Sequence, residues 1–153
     1  MRIRLRSAAL LIPLAVMMTG CGERTASLDA LREREVVLPS GKKIRAEVMM
    51  TPQEMQRGMM FRDSLPQGRG MLFIHNRPGN YRYWMYQVRI PLDIIWMDAN
   101  RRVVEISADT PPCKTPASQC PNYGGNEVAQ YVLELAGGEA RRLGIQVGNI
   151  LKF

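Results

Sequence analysis

Histidine is almost missing from this 153-residue chain, with His75 its only example. One imidazole cannot build a histidine-rich metal centre, and a Ser-His-Asp triad would need His75 itself as the base. No Gly-x-Ser-x-Gly elbow is present, and Ser40, Ser64, Ser107 and Ser118 stand in no motif, so serine hydrolysis is not indicated. Cysteine is scarce too, with three residues and no Cys-x-x-Cys. Repeats of about 20–50 residues are lacking, which excludes solenoids and propellers. The longest apolar run, within Ser7–Met18, is shorter than the roughly 20 residues of a permanent membrane helix.

That run follows Arg2, Arg4 and Arg6 and precedes Thr19, Gly20 and Cys21. A basic front, a short apolar segment and small residues are the anatomy of a bacterial export signal. "MTGC" resembles a lipobox, so the expectation is a signal peptide over 1–20 and an acylated Cys21. Several acyl chains together give a stable membrane anchor. Gly22 in place of Asp points to the outer rather than the inner membrane. The exported chain would keep 18 basic against 14 acidic residues. This mild excess does not announce a nucleic-acid binder, and suits a domain lying near anionic lipid heads. Cys113 and Cys120 then remain as an even pair in a Pro- and Ser-rich loop, which in an exported chain reads as a disulfide.

Beyond a polar tether over 21–34, one domain over 35–153 is expected. "VVLP" and "KKIRAEVMM" flank an "SGK" turn as a hairpin. Thr51, Pro52 and Glu54 form the start signal of a short helix, with Gly58 as its stop. "GMLFIH", "YRYWM", "LDIIWMD", "RVVEISA", "VAQYVLELA" and "VGNILKF" read as strands, "NRPGN" and "DANR" as turns, and "GGEARRLG" as a short helix or turn. The fold class expected is mainly β: a compact sandwich or barrel-like domain of seven to eight strands with two short helices.

"QRGMMFRDSL", "GMLFIH", "YWMYQVRIPLDIIWMD", "VVEI", "PPC", "YVLELAGGEARRLGI" and "VGNILKF" together resemble domain of unknown function 192, a bacterial and archaeal family. The resemblance implies a compact β-rich domain, often exported or lipid-anchored, and no established reaction. Gln87 and Val88 stand where the family usually has Asn and Thr, so a polar pocket built on that amide and hydroxyl would be altered here.

Asp93 sits in the apolar run Ile90–Met97, where a carboxylate is costly unless it is hydrogen-bonded. After Pro91 it is suited to holding the local backbone; the alternative is a ligand-facing role. Tyr81, Tyr83, Trp84, Tyr86 and Trp96 cluster within sixteen residues. By alternation Trp84 and Tyr86 share one face and Tyr83 and Met85 the other. With Arg57, Arg62 and Asp93, Trp84 and Tyr86 are the candidate binding group, for a glycan or another envelope ligand, by stacking plus polar edges. The function expected is a non-enzymatic periplasmic lipoprotein, an accessory or ligand-binding module, with no cofactor. One alternative is an envelope hydrolase or transferase pairing Asp93 with Glu134, Asp98 or Glu105. Another is copper binding through some of Met49, Met50, Met55, Met59, Met60, Met71, Met85 and Met97, since thioethers suit Cu(I); the competing role for these residues is adaptable core filler.

Overall fold

The computed structural model describes residues 32–153. The expected signal segment, Cys21 and nearly all of the tether lie outside the described residues. Strands β1 (Glu33–Val37) and β2 (Lys43–Met49) form the antiparallel hairpin, turned at Gly41 with φ 79°. β1 starts at Glu33, within the stretch expected as tether, because Glu33 pairs in register with Glu47.

Helix α1 (Pro52–Arg57) follows its start signal. The Thr51 hydroxyl accepts from the Glu54 amide at 3.3 Å, and the Glu54 carboxylate accepts from the Thr51 amide at 3.0 Å. This capping box satisfies two donors that a helix leaves open. The chain then enters β3 (Arg69–Gly79) parallel to β2. Strands β4 (Tyr83–Trp84), β5 (Leu92–Met97), β6 (Val103–Thr110), β7 (Asn122–Tyr123) and β8 (Ala129–Ala136) and helix α2 (Glu139–Leu143) complete the order. Six strands form an open sheet, β1-β2-β3-β8-β5-β6, while β4 and β7 pair separately. The domain is therefore mainly β, with eight strands in two sheets and two short α-helices.

Three local expectations change. "NRPG" is not a turn but the end of β3; the ladder to β8 shifts register between Ile74 and Gly79, which leaves Pro78 where no ladder bond is required of it. "VGNILKF" forms no full strand. It touches the sheet through single bridges, Arg102 to Ile150 and Val37 to Lys152, and so covers parts of both edges. The short strand β7 lies in the Pro-rich loop that carries the Cys113–Cys120 disulfide.

Side chains alternate across the sheet, and both faces are buried. One face packs Ile44, Ala46, Leu72, Ile95, Met97 and Leu133 against Ala140, Ile145 and Leu151. The other packs Met71, Phe73, Ile94, Trp96 and Val132 against Met59, Met85 and Val88. All six residues of β5 are buried, as a strand covered on both sides requires. Gly124, φ 70°, lies flat against Trp96; a Cβ there would stand 2.1 Å from the indole ring. The Trp96 indole N–H donates to the Tyr81 carbonyl at 2.8 Å.

Candidate functional site

Asp93 does not join the candidate binding group. It is fully buried and faces the α2 side of the sheet. Its Oδ1 accepts from the amides of Asp109 at 2.7 Å and Gly138 at 3.0 Å, and its Oδ2 from the amide of Ala140 at 2.7 Å. Three backbone donors use both oxygens, so Asp93 ties the β6 end and the start of α2 to β5. The hydrolase alternative loses its geometry here. Asp93 pairs in register with Leu135, and Ile94 with Glu134, so Asp93 and Glu134 enter opposite faces. Asp98 instead caps the β5–β6 turn, accepting from the amides of Asn100 and Arg102. Glu105 accepts from Asn126.

Of the other four candidates, Arg57 ends α1, Arg62 and Trp84 line cavities beside it, and Tyr86 stands against Trp84. A cleft of about 530 Å³ is lined by residues that include Arg32, Glu33, Glu47, Glu54, Arg57, Arg62 and Arg69. Most of its charges are internally paired. Arg62 donates a two-pronged fork to Glu47 at 2.7 and 2.8 Å, which holds the Glu47 carboxyl below the usual range. Arg69 pairs with Glu33, and Arg32 with Glu54 at 2.8 Å. Among the described residues Arg57 has no such partner. Arg57 ends α1, and Gly58 follows it with φ 41°; a Cβ there would meet the Phe73 ring at 3.2 Å. Glycine lets the helix end lie down on Phe73, which seats Arg57 over the sheet.

Arg57 and Gly58 also line a second, smaller cavity of about 30 Å³, together with Met59, Met60, Phe73, Tyr83, Trp84, Val88 and Glu134. Trp84 is 37% exposed and stands against Tyr86, with ring centroids 5.2 Å apart. The expected alternation holds: Trp84 is exposed and Tyr86 half-buried, while Met85 is in the core. Phe61, 49% exposed, adds to this rim. Its amide donates to the Gln87 carbonyl at 2.9 Å, and both residues have left-handed backbones, φ 65° and 57°. Two non-glycine residues held this way mark a locally fixed rim. The Cys113 amide donates to the Met85 carbonyl at 3.1 Å, so the disulfide loop braces the same segment.

Glu134 is the site residue that a reading centred on Asp93 underrates. It is 5% exposed, and among the described residues its Oε2 has no hydrogen-bond partner. Burial pushes its carboxyl up to about 8, against the opposing charge of Arg62. Burial and the nearby Glu134 also push the Tyr83 hydroxyl up. The signal is the same as for Asp93, a carboxylate inside the largely apolar strand β8 (Ala129–Ala136). His75 is half-buried in β3. Its ring stacks on Tyr81 at 3.4 Å, its Nε2 lies 3.2 Å from the Tyr83 hydroxyl, and burial lowers its pKa.

The methionines divide. Met59, Met71 and Met85 are buried on the α1 side of the sheet and Met97 on the other, and Met50 projects alone. Packing accounts for the four buried ones. No cluster of three or more His, Cys, Asp or Glu suited to a metal occurs among the described residues.

The family model of domain of unknown function 192, described as an uncharacterised ACR, matches residues 35–153. A solved structure of a protein of unknown function from Novosphingobium aromaticivorans is 34% identical, with a TM-score of 0.72, covering 79% of this chain and 85% of that one. A second, a candidate transcription regulator from Sinorhizobium meliloti, is 26% identical, with a TM-score of 0.70, covering 78% of this chain and 92% of that one. No curated protein matches.

Proposed function

This chain belongs to the family of domain of unknown function 192, and we propose that it is a ligand-binding module of the cell envelope whose site is the cleft between Arg57 and Trp84. The observation that carries the reading is that Arg57 lines both cavities while Trp84 lines the smaller one. A guanidinium without a carboxylate partner and an exposed indole thus open onto one surface. The ligand class that fits carries an anionic group and a ring, as an acidic envelope glycan does. The anion takes the Arg57 fork, and the sugar face stacks on the indole. Arg62 lines the cleft as a support, fixed by Glu47, and Tyr86 backs Trp84. Asp93 has no part in it.

The envelope location rests on the sequence before residue 22 and is supported by the disulfide, a bond of oxidising compartments. In this reading Cys21 carries the lipid anchor, at the periplasmic face and preferably of the outer membrane. Labelled fatty acid incorporated by the wild type and not by Cys21→Ala checks the anchor. The binding reading is checked by calorimetric titration of the full-length protein with uronic-acid oligosaccharides and with neutral maltooligosaccharides of equal length. Saturable binding of the acidic series alone is expected, and equal binding of both contradicts the Arg57 role.

A further inference from the structure

We propose that Glu134 is a second binding group of this site, and that the small cavity beside it takes a primary ammonium group from the same ligand whose anionic group sits on Arg57. The inference rests on the reading above and deepens it to a ligand bearing both charges.

A buried acceptor without a donor is costly, and among the described residues no side chain donates to this one. Arg62, whose charge acts on Glu134, is committed to Glu47 through both arms of its fork. The Tyr83 hydroxyl lies against His75. The other walls are thioethers, the Phe73 ring, the Trp84 indole, Val88, Gln56 and Arg57, and neither Gln56 nor Arg57 donates to Glu134 Oε2. Among the described residues none donates to Glu134 Oε2, and the cavity beside it gives a ligand's donor a way in.

The shape says what kind. The cavity is small, about 30 Å³, and a terminal ammonium is the most compact cationic donor a ligand can offer it. Aromatic walls favour a cation over a neutral donor. Arg57 lines the same cavity and places the anionic end of the ligand beside it. A single trapped water is the competing occupant.

Charge accounting gives a signature that water lacks. The Glu134 carboxyl is protonated at neutral pH. An entering ammonium makes an ion pair only after that proton leaves, so one proton passes to solvent per ligand bound. Of the groups facing Glu134 beside Arg57, Arg62 is raised by its Glu47 fork and stays charged, and Tyr83, raised by burial, stays neutral across this range. His75, behind Tyr83, titrates below its usual value. Glu134 is thus the group that titrates as pH rises to about 8, and the affinity rises about tenfold per pH unit up to that point.

The test uses the full-length protein in detergent and the ω-amino acids from glycine to 6-aminohexanoate, their N-acetyl derivatives, and methylammonium. Calorimetry in buffers of different ionisation enthalpy counts the protons. The expected result is that at least one ω-amino acid binds, that its N-acetyl form binds tenfold or more weaker, and that one proton is released near pH 6.5. Glu134→Gln, which keeps the shape of the protonated carboxyl, abolishes the difference between the pair. Equal binding of free and acetylated forms, no proton release, or no amine bound at millimolar concentration overturns the proposal. The proton count is read on the wild type, so it stands whatever the variant does. Acetylated acids that bind through Arg57 alone would remove Glu134 and leave the cleft reading intact. Methylammonium that binds through Glu134, with acids indifferent to Arg57→Ala, would do the reverse. Tight Ag(I) binding without amine binding would replace the proposal by a thioether metal site built on Met55, Met59 and Met60.

Discussion

Asp93 and Glu134 lie on paired strands one residue out of register and enter opposite faces of the sheet. Both are carboxylates inside apolar strands, and their surroundings differ completely. Asp93 receives three backbone amides, whereas among the described residues the Glu134 Oε2 has no donor. The first is a structural tie and the second a group still lacking a donor.

Removing the tie leaves three amides without an acceptor in a covered region, at about 1–3 kcal/mol for each that finds no water. Asp93→Ala is expected to lower stability by several kcal/mol in urea unfolding. Asp93→Asn is expected to cost at least about 1 kcal/mol, since an amide nitrogen cannot accept. Unchanged unfolding midpoints for both variants would refute the tie.

Glu134 makes stability pH-dependent in the direction opposite to a salt-bridged acid. Its folded-state value, about 8, lies above the ordinary 4.5. The folded protein therefore holds a proton that the unfolded chain has lost between these values. The contribution is present in full below pH 4.5 and is lost as pH rises through about 8. Glu134→Gln is expected to flatten the slope of stability between pH 5 and 8 and to exceed the wild type above pH 8. Thermal melts across that range decide it; parallel slopes for the two proteins would count against a buried proton.

The Cys113–Cys120 bridge closes a loop with six residues between its cysteines, and chain-entropy reasoning gives it about 2.5 kcal/mol. Reduction is expected to lower stability by about that amount. It should also loosen the Met85 segment and raise the accessibility of Trp84, read by fluorescence quenching. Quenching of Trp84 that reduction leaves unchanged would separate the loop from the rim.

Gly124 presses on Trp96 at a left-handed φ of 70°. Gly124→Ala meets both the ring and the backbone penalty. A loss of more than about 3 kcal/mol is expected, in the upper range for single substitutions. Near-wild-type stability would mean that Trp96 can shift.

What the sequence made legible was local. Thr51, Pro52, Glu54 and Gly58 mark α1 within eight residues, and the alternation of Trp84 and Tyr86 against Tyr83 and Met85 sorts the aromatics correctly. Pro91 pointed to Asp93 as a backbone tie. Decisions set by distant partners were not legible. Arg62 is taken by Glu47, fifteen residues away, and Glu33 by Arg69, thirty-six away. The register of β8 against β5 alone decides that Glu134 faces α1 while Asp93 faces α2. "NRPG" carries strong turn residues, yet the shifted register at the end of β3 absorbs them.

The most direct measurement is the affinity of a uronic-acid tetrasaccharide for the wild type, Arg57→Ala and Trp84→Ala, with a melting curve for each. Both side chains are exposed, so the melting temperatures should stay within a few degrees of the wild type. The predicted result is saturable binding by the wild type and a loss of tenfold or more in each variant. Binding that survives both substitutions, or no binding by the folded wild type, would contradict the account.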